Sequence, residues 1–157
     1  KKELPKVDHS TISYPSFRKS FYIEVPELKS MSEEEVEALR KSMDSIKVRG
    51  KRCPRPIKRW TQSGLSDRLL AAIEKAGYVK PFPIQAQCVP AVMSGRDVIA
   101  IAKTGSGKTM GYTLPMMRHV MDQPPLANGD GPIALVMVPT RELAMQVYRE
   151  VTKFAKV

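Results

Sequence analysis

The run Lys103-Thr104-Gly105-Ser106-Gly107-Lys108-Thr109 holds the residue types and spacing best suited to chemistry. Glycines at 105 and 107 accept backbone angles closed to other residues, so successive N–H groups can curl around an anion. A helix starting at Lys108 would turn its positive end toward the same anion. The Lys108 ammonium can reach β- and γ-phosphates, and the Thr109 hydroxyl can help hold Mg²⁺. This pattern points to a nucleoside-triphosphate site, with Lys108 and Thr109 as the catalytic candidates. The usual phosphate loop starts with glycine, whereas Ala102 stands at that position here. An ordinary Gly-Ser turn before a helix is the alternative, and it leaves the Gly-Lys-Thr run unexplained.

The elements around this run must aim it. Val98-Ile99-Ala100-Ile101 reads as a buried strand entering the loop, and residues 108–121 as the helix leaving it, bent or broken near Pro115. Residues 133–138, Ile-Ala-Leu-Val-Met-Val, form a continuous apolar run typical of a strand buried on both faces. Pro139 ends it, and an amphipathic helix follows from Arg141 to about Ala155, with Leu143, Val147, Val151 and Phe154 inward. Upstream, Ser66 caps a helix that stops at Gly77, and a second helix runs from about Ile84 to Met93, bent by Pro90. The expected fold is therefore α/β, with a parallel sheet. Two strands cannot cover both faces or manage their edges. Pro139-Thr140, not an acid, comes directly after Val138, although a P-loop ATPase needs a carboxylate at a strand end for Mg²⁺. The expectation is a piece of a larger enzyme that turns over no substrate alone.

Residues 1–59 differ from the rest. Residues 1–30 have no clean periodicity but carry Tyr14, Phe17, Phe21 and Tyr22, an aromatic arm that packs on its own domain or on a partner. Ser32 and Glu35 form a capping box for a short peripheral helix with Val36, Leu39 and Met43 inward. Residues 47–59 hold seven basic residues and no acid, kept extended by Gly50, Pro54 and Pro56. They read either as a solvated linker or as a phosphate-contacting segment. The division is thus 1–59, an N-terminal extension, and 60–157, a globular part.

With 26 basic and 16 acidic residues, the chain has a formal charge of +10, which favours a polyanionic partner, nucleic acid first. Cys53 and Cys88 make no metal-ligand spacing and no disulfide framework. No apolar run approaches the ~20 residues that span a bilayer, and no signal-peptide core is present at the polar start. The expected compartment is cytosol or nucleus.

Three separated motifs resemble those of the DEAD-box RNA helicases. Gly77-Tyr78-Val79-Lys80-Pro81-Phe82-Pro83-Ile84-Gln85 resembles the Q motif, and Ala102 to Thr109 resembles motif I, where a first alanine is normal. Pro139-Thr140-Arg141-Glu142-Leu143-Ala144 is similar to motif Ia, and Trp60 stands 17 residues before Gly77, where the family has an isolated aromatic. The resemblance covers about residues 56–157 and implies the first half of the first RecA-like domain, preceded by an extended arm and a short helix. It implies ATP and Mg²⁺ as cofactors. Gln85 would pair with adenine, Trp60 would stack on it, and the backbone near Tyr78 and Lys80 would touch its edge. Ala102, Lys103, Thr104, Gly105, Ser106, Gly107, Lys108 and Thr109 would hold the phosphates, with the Thr109 hydroxyl on Mg²⁺. Pro139, Thr140 and Arg141 would face an RNA backbone. Taken singly, Gln85 reads as a surface glutamine, Trp60 as a core aromatic and Arg141 as a helix-start charge. Phe82 and Lys103 depart from the family's commoner threonine and glutamine.

Residues Val7-Asp8-His9 and the stretch Phe17 to Leu28, with Lys103, resemble the spliceosomal branch of the family, which acts at the branch-site step. That implies a nuclear protein with RNA, the U2 small nuclear ribonucleoprotein and splicing factor 3b components as partners. The rival expectations are a nuclear DEAD-box helicase outside the spliceosome, a different P-loop enzyme such as a kinase or GTPase, or a non-catalytic docking scaffold.

Overall fold

The computed structural model describes residue 3 and residues 5–155. Six α-helices occur among them: α1 Pro26–Lys29, α2 Glu33–Ser42, α3 Asp67–Lys75, α4 Pro83–Met93, α5 Lys108–Met121 and α6 Arg141–Phe154. Their ends follow from local chemistry. Ser32 and Glu35 satisfy each other's backbone N–H groups at the start of α2, at 2.7 and 3.2 Å. Ser66 caps α3 and Thr140 caps α6. α5 runs through Pro115 without the break that was one of the two expectations there. The proline is buried with Met110 and Leu114 in the packing against α4, which offsets the lost backbone bond.

α4 is the centre of the molecule. Its sequence is apolar nearly all round, and eight of its eleven residues are buried. Val89 and Met93 enter one cluster with Phe21, Trp60, Leu69, Ile73, Leu114 and Phe154. Ala86 enters a second cluster with Leu28 and Ile57. The N-terminal extension provides much of this cover. Phe21 and Tyr22 donate their N–H groups to the Met93 carbonyl at 2.7 and 3.1 Å, and Ile57 donates to Ala86 at 2.9 Å. Gln87, buried on α4, bonds the Pro54 carbonyl and accepts from Arg40.

The expected parallel sheet is not there: among the described residues no strand forms. The runs 98–101 and 133–138 are non-helical and take part in no backbone ladder. Their exposure alternates. Ile99 and Ile101 are 94 and 92% exposed, and Leu135 and Met137 are 76 and 84% exposed. Val98, Ala100 and Val138 instead turn toward α4, α5 and α6 around a cavity of about 470 Å³. The physical reason lies in how each element satisfies its backbone. A helix closes its hydrogen bonds within itself, whereas a strand needs a neighbour. The α/β class and the first-half RecA-like sheet expected from the sequence are corrected accordingly to a helical architecture with two unpaired apolar runs.

Candidate nucleotide site

The phosphate-loop candidates sit at the start of α5, next to the start of α4. Gly107 is the N-cap of α5 with φ +85°, in the left-handed region. A Cβ there would lie 2.5 Å from Gln85 Nε2 and 2.7 Å from Phe82 Cδ2, so glycine is required on both counts. Lys103, Thr104 and Gly105 are exposed, while Ala102, Ser106, Gly107, Lys108 and Thr109 are half-buried. The Lys108 ammonium donates to the carbonyls of Ala102 and Lys103, folding back on the loop that precedes it. The Ser106 hydroxyl is buried without a hydrogen-bond partner. Burial raises the Tyr112 phenol above its ordinary value, partly offset by the Thr109 hydroxyl beside it.

Gln85 joins the two helix starts. Its Oε1 accepts from the Phe82 N–H at 2.9 Å, and its Nε2 donates to the Gly107 carbonyl at 3.0 Å. These partners fix the amide's orientation, because an N–H requires the oxygen and a carbonyl requires the NH₂. The side chain is wholly buried. One lone pair and one N–H remain unused, a donor and an acceptor side by side.

The structure thus brings Gln85 and the 102–109 loop together. Trp60 is placed elsewhere. It is buried in the main cluster with Phe21 and Leu69, and its indole Nε1 has no partner. Tyr78 is half-buried, 6.2 Å from the Phe154 ring, and Lys80 is exposed in the turn that leads to α4. Pro139, Thr140 and Arg141 are exposed together at the start of α6. The site residue that sequence reasoning passed over is Phe82. Its ring, 49% exposed, lies against Gly107 where the sequence suggested only a missing hydroxyl. The signal was an exposed-type position, the helix N-cap, filled by an aromatic. A groove of about 680 Å³ between α3 and α6, lined by Ala72, Lys75, Tyr148 and Thr152, shares no residue with the loop.

The donor set suits a polyphosphate: a helix N-terminus, a loop with two glycines in the left-handed region, an orphaned buried hydroxyl and a lysine. Among the described residues, no group of three or more His, Cys, Asp or Glu is placed to hold a metal ion.

The seven basic residues of 47–59 divide into two sets. Arg55 pairs with Glu24 at 3.1 Å and Glu33 at 3.4 Å and donates to the Met31 carbonyl. Lys58 and Arg59 both pair with Glu27, at 3.6 and 2.5 Å. Lys47, Arg49, Lys51 and Arg52 make no ion pair among the described residues.

Comparisons with known proteins agree on kinship. The DEAD/DEAH box helicase family matches residues 82–157. Human "Probable ATP-dependent RNA helicase DDX46" is 58% identical over 156 residues, covering 99% of this chain and 15% of that protein. The Schizosaccharomyces pombe "Pre-mRNA-processing ATP-dependent RNA helicase prp11" is 55% identical over 156 residues, again 99% of this chain and 15% of the relative. Among solved structures, the RNA helicase Prp28 from Chaetomium thermophilum bound to ADP aligns with a TM-score of 0.74 and 37% identity, over 83% of this chain and 32% of that one. The chain spans about 15% of the length of these curated relatives.

Proposed function

Because the chain belongs to the DEAD/DEAH box helicase family, we propose that it forms the ATP-binding part of an RNA-dependent ATPase acting in pre-mRNA processing. The observation that carries this reading is Gln85, held between the Phe82 N–H and the Gly107 carbonyl. Its unused N–H and lone pair match the acceptor N7 and donor N6 of adenine. A base reaches them by displacing the half-exposed Phe82 ring from Gly107. Bound ATP with Mg²⁺ supplies the phosphoryl group whose transfer to water drives the cycle.

This chain's own residues bind and orient. Lys108 leaves the Ala102 and Lys103 carbonyls and spends its charge on phosphate oxygens. The Ser106 hydroxyl gains the partner it lacks, and the N–H groups at the start of α5 converge on the same oxygens. Any strain on the loop passes through Gly107 to Gln85 and so to α4. Pro139, Thr140 and Arg141, exposed at the start of α6, face the RNA backbone. The Schizosaccharomyces pombe relative is named as a pre-mRNA-processing helicase, which supports the same role here and, with it, a place in the nucleus. The resemblance of the arm supports the U2 small nuclear ribonucleoprotein and splicing factor 3b components as partners.

The test is Lys108→Ala in the full-length protein, read as RNA-stimulated ATP hydrolysis. The expected outcome is loss of hydrolysis with an unchanged melting temperature, since the ammonium bonds only loop carbonyls. Retained hydrolysis refutes the phosphate site. Absence of RNA-stimulated hydrolysis in the unsubstituted protein favours a docking scaffold.

A further inference from the structure

We propose that the C-terminal end of α4 carries a second contact for single-stranded RNA, built from the arm, the 50–52 turn and Arg96. Gln85 and Met93 stand eight residues apart on α4, so this end lies about 12 Å from Gln85. Three segments meet there. Arg96 donates to the Lys51 carbonyl at 2.8 Å. The Lys19 backbone lies so close to Gly95, φ +71°, that a Cβ at that position would stand 2.7 Å from its carbonyl oxygen. Phe21, buried beside Met93, carries the Arg18 guanidinium at 4.6 Å and the Arg118 guanidinium at 4.1 Å from its ring centre. Arg18, Lys19, Lys51, Arg52 and Arg96 are all exposed, and none is in an ion pair among the described residues. Two carboxylates are close in sequence. Asp122 is taken up by Arg118 at 3.3 Å, and Asp97 follows Arg96.

Charge alone would suit any polyanion. The aromatic decides the class. Phe17 is 56% exposed, with the Lys19 ammonium 5.6 Å from its ring centre. An exposed ring among cations is the pairing that single strands use, with phosphates on the charges and a base stacked on the ring. The carboxylates of an acidic peptide would engage the charges but bring no base to stack on the ring. The contrast with Arg55, Lys58 and Arg59 supports this reading. In one basic segment, the cations near α1 are neutralised internally, while those near Arg96 are left free.

The choice of RNA rests on the reading of the chain as part of an RNA-dependent ATPase, so the test separates the two. Binding of a labelled single-stranded oligouridylate to the full-length protein is measured without nucleotide at several salt concentrations. The triple variant Lys51→Gln, Arg52→Gln, Arg96→Gln should make the log–log salt slope shallower by about 2, at roughly 0.7 per lost contact. Phe17→Ala should weaken binding about five-fold or more and leave the slope unchanged. A matched variant, Lys29→Gln, Lys41→Gln, Lys75→Gln, should change neither. Because binding is read without nucleotide, a failed ATPase reading leaves this result intact. The proposal is overturned by an unchanged affinity and slope in the triple variant. It is also overturned if Phe17→Ala binds normally while oligoglutamate competes as well as oligouridylate, which would mark a docking face for acidic protein.

Discussion

α4 and the run 133–138 are both nearly continuous apolar sequences, yet their fates differ. α4 buries eight of eleven residues, because the N-terminal extension lies on one side of it and α3 and α5 on the others. In the run 133–138, Val138 is half-buried against the helices, while residues 133–137 are exposed, Leu135 and Met137 most of all. Hydrophobicity states that a segment is to be buried but does not name its cover. For α4 the cover lies within these 157 residues. The bare side of the two apolar runs meets none of the described residues.

The widest separation between the two regions should come from a charge. In this chain, Val89→Asp places an unpaired carboxylate in the middle of α4 and should cost about 4 kcal/mol or more. Ile99→Asp on the bare face should change stability by no more than about 0.5 kcal/mol. Urea unfolding reads both, and equal losses would break the comparison. A smaller effect should come from the seam between arm and helix. Gly95→Ala forces a side chain into the left-handed region against the Lys19 backbone and should cost about 1–3 kcal/mol. Limited proteolysis should then cut the arm faster, and an unchanged cutting rate would show that the arm is not held at Gly95.

The smallest effect sharpens how the cover is made. Burial pushes the Tyr22 phenol up to about 12 from its ordinary 10.0, with Glu24 adding to the rise and Arg55 opposing it. The folded state thus favours the neutral phenol. Its contribution is whole below about pH 10 and is lost as pH rises through about 12. Tyr22→Phe should flatten that alkaline loss. Below pH 10 it should cost little, because the buried hydroxyl has no partner to lose. An alkaline loss of the same size in both proteins would contradict this.

Much of the molecule was legible locally. Ser32 with Glu35, Ser66 and Gly77 marked helix ends correctly, because caps depend on residues a few positions apart. The Gly105-Ser106-Gly107-Lys108 loop was legible for the same reason. The sheet was misread because periodicity assigns an apolar run to a strand, whereas a strand exists only where another segment bonds to it. The fastening of the extension was also illegible. Nothing in the sequence around Arg55 tells that Glu24 and Glu33 will neutralise it, nor that Lys51 will meet Arg96, because these partners are 22 to 45 positions apart. At the candidate site, Gln85 was legible only through three motifs occurring together, and the packing of Phe82 on Gly107 was not legible at all.

Gln85 is the link between α4 and the phosphate loop. The most direct measurement is the affinity of the full-length protein for ATP and for GTP, with and without Gln85→Ala. The unsubstituted protein should prefer ATP, since guanine presents the wrong donors and acceptors to the amide. Gln85→Ala should lower ATP affinity by about five-fold to a hundred-fold, the cost of a lost buried polar pairing, and leave GTP affinity nearly unchanged. Equal affinities in the unsubstituted protein, or an ATP preference that survives the substitution, would contradict the account.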